Sequence, residues 1–346
     1  MNYRMPAEWE PHEATWIAWP HNKEDWPDRF GPIPWVFGEV VRRLALEERV
    51  HILVQPGASE TAWDVLEKFG VSADQIEFHE LETNRVWTRD FAPQWVFDPA
   101  GLRHAVKWHF NAWAKYENWQ LDDEAGRAIA AEHGPRIEPQ AGNRPVVLEG
   151  GSIDVNGQGT LLTSEECLLS KMQERNPGLG RADYERLFAE HLGVAKTIWL
   201  KRGIAGDDTH GHVDDLARFV SANTVVCVSE SDRGDENYEP LQENLELLRS
   251  ATDARGQPIT VIELPMPGPV IFDGQRLPAS YANFYIANGQ VLVPTFNDER
   301  DRQALEILAE AFPNRRVIGI HSGDLVWGLG TIHCMTMQQP ASRLIG

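Results

Sequence analysis

Separate segments of the chain hold residues that could catalyse a reaction together. Cys334 follows the glycine-containing segment Gly328–Thr331, and a cysteine becomes a strong nucleophile when a base or a positive charge favours its thiolate. Candidate histidine and carboxylate partners lie elsewhere in the chain, among them His210, His212, Asp90, Glu149 and Asp214. Such partners need to be adjacent only in space. A thiol enzyme is therefore one hypothesis, and an inert buried cysteine is the alternative.

Two of these acids lie in segments that indicate more than a solvated charge. Asp90 lies in Trp87–Pro93 among aromatic residues, and a planar guanidinium both pairs with carboxylates and stacks on aromatic rings. In the alternative interpretation, Arg89 simply neutralises Asp90 in an ion-paired turn. Glu149 follows the apolar run Val146–Leu148, which predicts a partly buried acid that needs a partner.

The segment Asp207–Asp215 is the densest set of ionisable groups in the chain. In an extended conformation His210, His212 and Asp214 share one face, so a metal-dependent hydrolase is a hypothesis from another class. Asp215 stands where the dinuclear metallohydrolase pattern has a histidine. A solvated acidic turn is the third interpretation of this segment.

Aromatic residues give two further hypotheses. The segment Tyr281–Gly289 is typical of a buried strand that ends in an Asn-Gly turn, with Asn283 able to form hydrogen bonds near a site. Tryptophans could line a tunnel for an aliphatic tail, although core packing explains them equally well. The tryptophans concerned are Trp9, Trp16, Trp19 and Trp87.

Composition restricts the partners and the compartment. The 346 residues contain 52 acidic and 32 basic side chains, a formal charge of −20, which repels nucleic acid and attracts small cations. The first 12 residues lack an apolar core of signal-peptide length, and no segment reaches the roughly 18 apolar residues of a membrane helix. We therefore expect a cytoplasmic protein with a cationic small-molecule partner and no membrane or nucleic-acid partner.

Helix-like patterns recur at roughly 60-residue intervals, which indicates an internal repeat. The helices of the repeat are Ala62–Phe69, Asp122–His133, Asp183–Leu192, Leu241–Thr252 and Arg302–Ala311. Strand-like runs follow them: Ile76–Leu81, the weak Arg136–Glu138, Thr197–Leu200, Ile259–Leu264 and Arg316–His321. Alternating strand patterns complete the units, such as Ala217–Val228 and Gln290–Phe296.

The N-terminal region adds a strand, a helix and a second strand: Ala14–Trp19, Trp35–Glu47 and Val50–Gln55. We expect this region to pair with the C-terminal unit and close a radial α/β assembly with the site on its axis. An open doubly wound sheet is the competing α/β architecture. No long linker divides the chain, so residues 1–346 are expected to form one domain.

Read in order, the motifs resemble the agmatine deiminase family, which also contains the bacterial peptidylarginine deiminases. The resemblance extends nearly from end to end of the chain. The segments that carry it are Met5–His12, Trp16–Pro20, Trp87–Pro93, Phe110–Trp113, Glu149–Gly151, Gly211–Asp214 and Ile332–Cys334.

The resemblance implies the pentein fold, an α/β propeller of five ββαβ blades, and a reaction without a metal or an organic cofactor. It implies that Cys334 is the nucleophile, His212 the general acid/base and Glu149 the acid that orients it. Asp90 and Asp214 would hold the guanidinium of the substrate, and the segments around them make Trp87 and Gly330 candidate substrate-binding residues.

Two positions depart from the family pattern. The family commonly has three glycines and an asparagine before Ile-His-Cys, whereas this chain has Gly328–Thr331, read GLGT. His210 stands where the family frequently has an aspartate. These differences bear on the substrate more than on the reaction.

Agmatine is the substrate that the resemblance favours, and the product would be N-carbamoylputrescine, on the route to putrescine. Free arginine, peptidyl-arginine, amidino transfer to an amine and a catalytically silent binding protein are alternatives within the same fold. A homodimer is kept as a candidate assembly.

Overall fold

The computed structural model describes residues 3–342. Its α-helices are α1 Ile33–Leu44, α2 Ser59–Lys68, α3 Thr88–Phe91, α4 Gln120–Glu132, α5 Glu165–Leu169, α6 Arg181–Leu192, α7 Tyr238–Ser250 and α8 Asp301–Ala311. Short 3-10 helices span Lys23–Asp25, Ala73–Gln75, Ala112–Ala114, Gly150–Ser152, Val213–Asp215 and Leu325–Gly328.

Many short strands lie between these helices, and they pair into several small sheets. Up to β10 they are β1 His12–Ala18, β2 Arg49–Val54, β3 Ile76–Glu80, β4 Gln94–Phe97, β5 Arg103–Val106, β6 Arg136–Ile137, β7 Gln140–Ala141, β8 Arg144–Pro145, β9 Asp154–Val155 and β10 Thr160–Ser164. The others are β11 Lys196–Leu200, β12 Ala217–Ser221, β13 Thr224–Ser229, β14 Thr260–Pro265, β15 Ile271–Phe272, β16 Gln275–Arg276, β17 Tyr285–Ile286, β18 Gln290–Thr295, β19 Arg316–His321 and β20 Met337–Pro340.

Four of the sheets share one connectivity. In the sheet of β12, β13 and β14, β12 pairs antiparallel with β13, and the chain then crosses over through α7 to β14, which runs parallel to β13. The same antiparallel pair, helix and parallel strand recur in the sheets β4-β5-β6, β9-β10-β11 and β17-β18-β19. The sequence repeat is thus a ββαβ unit.

The first sheet joins the two ends of the chain. Its strand order is β20-β1-β2-β3, with β20 antiparallel to β1 and the other neighbours parallel. This confirms the predicted pairing of the N-terminal region with the C-terminal unit. The alternative of one open doubly wound sheet was wrong, because the strands divide among separate sheets of two to four strands each. In residues 3–342 no sheet closes on itself, and the radial order of the units stays a prediction.

The predicted helices are all present, and the structure extends each of them toward the N-terminus. For α7 the prediction began at Leu241 and the helix begins at Tyr238, because Pro240 in the first turn is compatible with a helix although it breaks the apolar pattern. Leu241, Leu245 and Leu248 face the core with full burial, the spacing of an amphipathic helix. Within the described part of the chain, no helix combines the length and apolarity that a bilayer crossing requires.

Candidate active site

The candidate catalytic residues come from equivalent positions of the repeat. Each lies in the loop or short helix that precedes the first strand of a unit. Asp90 precedes β4, Glu149 precedes β9, Asp214 precedes β12, Asn283 precedes β17 and Cys334 precedes β20. Repeated units therefore supply one functional loop each to one site.

The loop before Cys334 has the conformation that glycines usually provide. Leu329 has φ +66°, a left-handed conformation that costs a non-glycine residue about 1–2 kcal/mol. A Cβ on Gly330 would lie 2.9 Å from the Trp87 ring, and one on Gly328 would lie 2.6 Å from Trp26. The departure from the family glycines at Leu329 is thus accommodated by backbone strain, while the two flanking positions require glycine.

Asn283 holds the turn that carries the thiol. Its Nδ2 donates to Cys334 Sγ at 3.2 Å, and its Oδ1 accepts from the His333 backbone N–H at 3.0 Å and from Thr331 Oγ1 at 2.6 Å. Thr331, another departure from the family pattern, therefore helps to fix Asn283 by donating a hydrogen bond to it. The segment Tyr281–Gly289 was interpreted mainly as a buried strand, with Asn283 able to form hydrogen bonds near a site. The structure shows that Asn283 forms them with the residues around Cys334.

Burial and acidic neighbours disfavour the thiolate of Cys334. The cysteine is 8% exposed, and its Sγ lies 4.0 Å from Asp214 Oδ2. Desolvation, followed by the charges of Asp214, Asp215 and Asp90, raises the pKa of the thiol well above its usual value. A cation bound among these carboxylates would reverse their effect.

His212 is enclosed by carboxylates. Its Nδ1 lies 3.9 Å from Asp90 Oδ1 and 4.0 Å from Asp214 Oδ1, and its Nε2 lies 3.8 Å from Glu149 Oε2. Neither ring nitrogen has a hydrogen-bond partner. Burial opposes its charge, but Asp90 above all raises its pKa well above the usual value. The surrounding carboxylates therefore favour the protonated ring, which is the form that can donate a proton.

Glu149 has a partner on each side. The fully buried Arg175 donates from Nε to Glu149 Oε1 at 3.0 Å, and the free oxygen Oε2 faces His212. Burial favours the neutral acid, but the charge of Arg175 outweighs it and lowers the pKa of Glu149 to about 2. Glu149 therefore stays ionised and stabilises the imidazolium.

Asp90 is fixed by donors, and Arg89 does not neutralise it. Trp113 Nε1 donates to Asp90 Oδ2 at 2.9 Å, and the Gly151 backbone N–H donates to Oδ1 at 3.0 Å. Burial nevertheless raises the pKa of Asp90 to about 6. Arg89 lies 3.4 Å from Glu8 instead. The ion-paired turn was therefore the wrong interpretation, and Asp90 is available to a cation.

Asp214 belongs to a buried chain of charges. Its Oδ2 bonds to His333 Nδ1 at 2.6 Å, His333 Nε2 bonds to Glu8 at 2.8 Å, and Arg218 Nη2 lies 2.9 Å from Glu8. Burial acts against ionisation, but the His333 hydrogen bond and charge lower the pKa of Asp214. Its Oδ1 has no hydrogen-bond partner and faces His212.

Trp113 reaches Asp90 from a strained turn. Residues Ala112, Trp113 and Ala114 have φ of +49°, +58° and +53°, a left-handed run that non-glycine residues rarely adopt. Sequence reasoning placed Trp113 in a family motif but assigned it no role, because nothing in the pattern reveals this conformation.

The site opens into a cavity of about 320 Å³. Its lining is Asn22, Glu24, Asp25, Arg85, Trp87, Asp90, Trp113, Tyr116, Asn118, Asp208, Thr209, Gly328, Leu329, Gly330 and Cys334. Trp87 and Gly330, the candidate substrate-binding residues, both line this cavity, and their role in binding stays a prediction. The tunnel prediction for the three N-terminal tryptophans was wrong, since Trp16 packs in the core and Trp9 and Trp19 lie outside the lining.

The structure does not assemble the metal site considered for Asp207–Asp215. His210 Nε2 bonds to Ser170 at 3.0 Å, and its Nδ1 lies 3.9 Å from Glu166. Within residues 3–342, the possible ligand group that contains His212 joins it to Glu149 and Cys167 rather than to His210. Cys167 is thus a second buried thiol beside His212, which sequence reasoning did not identify.

Gly151 allows the carboxylates and the histidine to converge. A Cβ at this position would lie 2.6 Å from His212 Nδ1 and 3.0 Å from oxygens of Asp90 and Asp214. We expect Gly151→Ala to reduce kcat/KM by at least about 100-fold, since misplacement by about 1 Å costs that much. The measurement is steady-state kinetics together with thermal unfolding.

Gly31→Ala is the matched control for this prediction, because a Cβ there meets nothing within 4 Å. Neither glycine has a positive φ, so alanine strains neither backbone. Equal activities for the two variants would show that the convergence at Gly151 is unimportant for turnover.

Comparison with known proteins places the chain in a family. Residues 4–340 match the model of the Porphyromonas-type peptidyl-arginine deiminase. The chain is 37% identical to the agmatine deiminase of Pseudomonas aeruginosa (strain LESB58) over 366 residues, which cover 99% of this chain and 96% of that protein.

Solved structures give the same result. The agmatine deiminase of Enterococcus faecalis superposes with a TM-score of 0.91 at 33% identity, covering 99% of this chain and 97% of that one. DDAH from Pseudomonas aeruginosa is alike in fold alone, with a TM-score of 0.51 at 13% identity over 95% of this chain and 99% of that one. The resemblance seen in the sequence is confirmed. The chain belongs to the Porphyromonas-type peptidyl-arginine deiminase family.

Proposed function

We propose that the chain is an agmatine deiminase, which hydrolyses the guanidinium of agmatine to N-carbamoylputrescine and ammonia. One observation carries the proposal: the Cys334 thiol lies at a cavity that Asp90 also lines, with Asp214 at 4.0 Å. A guanidinium between these carboxylates would present its carbon to the sulfur. The similarity to agmatine deiminases over nearly the whole chain supports the same reaction.

Substrate binding activates the nucleophile. The cation neutralises Asp90 and Asp214, which otherwise raise the pKa of Cys334, and the thiol proton is released to solvent. The thiolate then forms an S–C bond to the guanidinium carbon. His212, protonated in the free site, gives its proton to the departing nitrogen, and ammonia leaves an amidino-thioether.

Hydrolysis of the thioether restores the site. Neutral His212 removes a proton from water, and the hydroxide adds to the amidino carbon. The C–S bond then breaks, the thiolate leaves, and the ureido product forms with loss of the hydroxyl proton to solvent. Glu149 orients His212 and stabilises its charged form through both steps, as the acid of a catalytic triad does.

The charges at the cavity favour agmatine over free arginine. Its lining contains Glu24 and Asp25 against one cation, Arg85, together with Asp208, whose charge is already paired with Lys115. Arg85 donates to the Asn118 backbone carbonyl at 2.6 Å and to its Oδ1 at 2.8 Å, so part of its bonding capacity is already used. An acidic lining attracts the distal ammonium of agmatine and repels the α-carboxylate of arginine.

The radial arrangement of the units is part of the proposal. Five loops at equivalent positions of the repeat supply the residues of one site, which a ring of five ββαβ units around that site would explain. The likeness in fold to DDAH supports a shared architecture.

The activity should fall at acid pH through the titration of Asp90. Its pKa is raised to about 6, and it binds a cation only when ionised, so kcat/KM for agmatine is expected to drop as the pH falls through about 6. Glu149 stays ionised and His212 stays protonated in this range. The pH profile of kcat/KM measures this acid limb.

Two variants assign the limb to its residue. Burial also raises the pKa of Asp25 to about 6, and Asp25 lines the same cavity. The limb should vanish in Asp90→Asn and persist in Asp25→Asn. The opposite pattern would assign the titration to Asp25 and contradict the proposed role of Asp90.

Ammonia release from agmatine, free arginine and a peptide with C-terminal arginine tests the substrate. We expect release from agmatine at a kcat/KM far above the values for the other two. Preference for an arginine substrate would replace agmatine but keep the reaction, whereas product that appears only with an added amine acceptor would indicate amidino transfer. Release from none would indicate a silent family member.

A further inference from the structure

A cluster of histidines and acids lies on the first sheet, among residues that do not line the catalytic cavity. In the register of β2 and β3, His51 is the partner of Glu77. Glu77 and His79 are two residues apart on β3, so they point to the same face. The ring of Trp16 on β1 stacks on His51 at 4.3 Å. These side chains therefore stand side by side on one face of the sheet.

The ligand atoms converge at distances that suit one metal ion. His51 Nδ1 lies 2.9 Å from His79 Nε2, Glu77 Oε2 lies 3.5 Å from His51 Nδ1, and Glu77 Oε1 lies 3.9 Å from His79 Nε2. Two nitrogens on a tetrahedral zinc ion at about 2.0–2.1 Å are about 3.3 Å apart. The ion would need only a small separation of the histidine rings.

Each histidine turns one ring nitrogen toward the other, His51 Nδ1 toward His79 Nε2. Neutral imidazole is the ligand form. In the hydrogen bond between these nitrogens one of them carries the proton, so metal binding requires that ring to move its proton to its other nitrogen, after which both nitrogens offer a lone pair to the ion.

Further donors surround the cluster. Glu132 Oε2 lies 3.9 Å from His79 Nδ1 and 3.8 Å from His133 Nε2. His133 Nε2 is buried and has no hydrogen-bond partner. The Glu77 and Glu132 side chains are 47% and 64% exposed, so an ion has access from solvent. Water from this exposed side would complete a tetrahedral coordination by His51, Glu77 and His79.

We propose that His51, Glu77 and His79 bind one divalent transition-metal ion of the zinc class, at a site distinct from the catalytic cavity. Two imidazoles and one carboxylate suit Zn²⁺ and disfavour the harder Mg²⁺. The ion links β2 to β3, and because it binds the folded chain it stabilises this sheet. The site requires no part of the proposed deiminase chemistry.

Equilibrium dialysis of the metal-stripped chain against Zn²⁺ tests the proposal. We expect one ion per chain, retained in excess Mg²⁺, and a thermal midpoint that rises with the zinc concentration. His79→Gln and Glu77→Gln should each weaken binding at least about tenfold. Glu77 is the safer substitution for folding, because its side chain is half exposed.

Three controls separate this site from others. His321→Gln removes an exposed histidine elsewhere, while Cys334→Ser and Cys167→Ser remove the buried thiols at the active site. Unchanged zinc binding in all three supports the assignment. No bound zinc, binding lost with either thiol, or full affinity in both His79→Gln and Glu77→Gln would overturn it.

Discussion

Cys334→Ser is expected to lower kcat for agmatine by at least about four orders of magnitude, the scale of loss when a catalytic nucleophile is removed. The serine hydroxyl would lie beside Asp214 and Asn283 as the thiol does. However, its much higher pKa keeps it protonated even when a cation neutralises the carboxylates. The measurement is single-turnover ammonia release at saturating agmatine.

Cys227→Ser is the matched control for the nucleophile. Cys227 is fully buried in β13, so the same substitution perturbs the core without touching the site. We expect Cys227→Ser to reduce stability and to leave the kcat of the folded protein near that of wild type. Retention of more than about a hundredth of wild-type kcat in Cys334→Ser would contradict the thiol mechanism.

Asp90→Asn is expected to lower kcat/KM for agmatine by about 10²–10⁴-fold, since hydrogen bonds to charged groups contribute about 1.5–3 kcal/mol each and a guanidinium forms two to a carboxylate. In Asp90→Asn one of the two carboxylate oxygens becomes an NH2 group, which cannot accept a hydrogen bond. The side chain therefore loses the bond from either Trp113 Nε1 or the Gly151 N–H. Steady-state kinetics measures the loss.

The control for Asp90 is Asp64→Asn on the exposed face of α2. It removes the same charge at a distance from the cavity lining and should leave kcat/KM unchanged. A loss below about tenfold in Asp90→Asn would indicate that Asp90 serves the structure rather than the substrate. An equal loss in Asp64→Asn would point to net charge as the cause.

The repeat was predictable because its signal is local. Apolar spacing such as Leu241, Leu245 and Leu248 fixes which face of a helix is buried, and the loops after each strand pattern held the chemistry. Helix starts were predicted late where a polar first turn precedes the apolar pattern. The pairing of β1 with β20 followed from an unpaired N-terminal strand, not from any local signal.

The partners within the site could not be predicted, because they depend on loops that are distant in sequence. Asn283 bonds to Thr331 and Cys334 across about 50 residues, and a buried asparagine before an aromatic strand reads equally well as packing. Arg89 is a second example. Its adjacency to Asp90 suggested an ion pair between them, but in the structure Arg89 pairs with Glu8, which is distant in sequence.

Two departures from the family pattern have a physical account in the structure. Leu329 keeps the left-handed backbone of a glycine position, and Thr331 replaces a family asparagine while bonding to Asn283. His210 also has a positive φ, +65°, and its Nε2 bonds to Ser170 at 3.0 Å. These residues leave the carboxylates and the thiol assembled.

Cys334 is expected to form a covalent bond to the guanidinium carbon, and rapid-quench mass spectrometry of the agmatine-treated chain tests this bond most directly. We predict a transient mass increase equal to agmatine minus ammonia, located on the peptide that contains Cys334 and absent in Cys334→Ser. Steady ammonia release with no adduct on Cys334 at any quench time, or an adduct on Cys167 in its place, would contradict the claim.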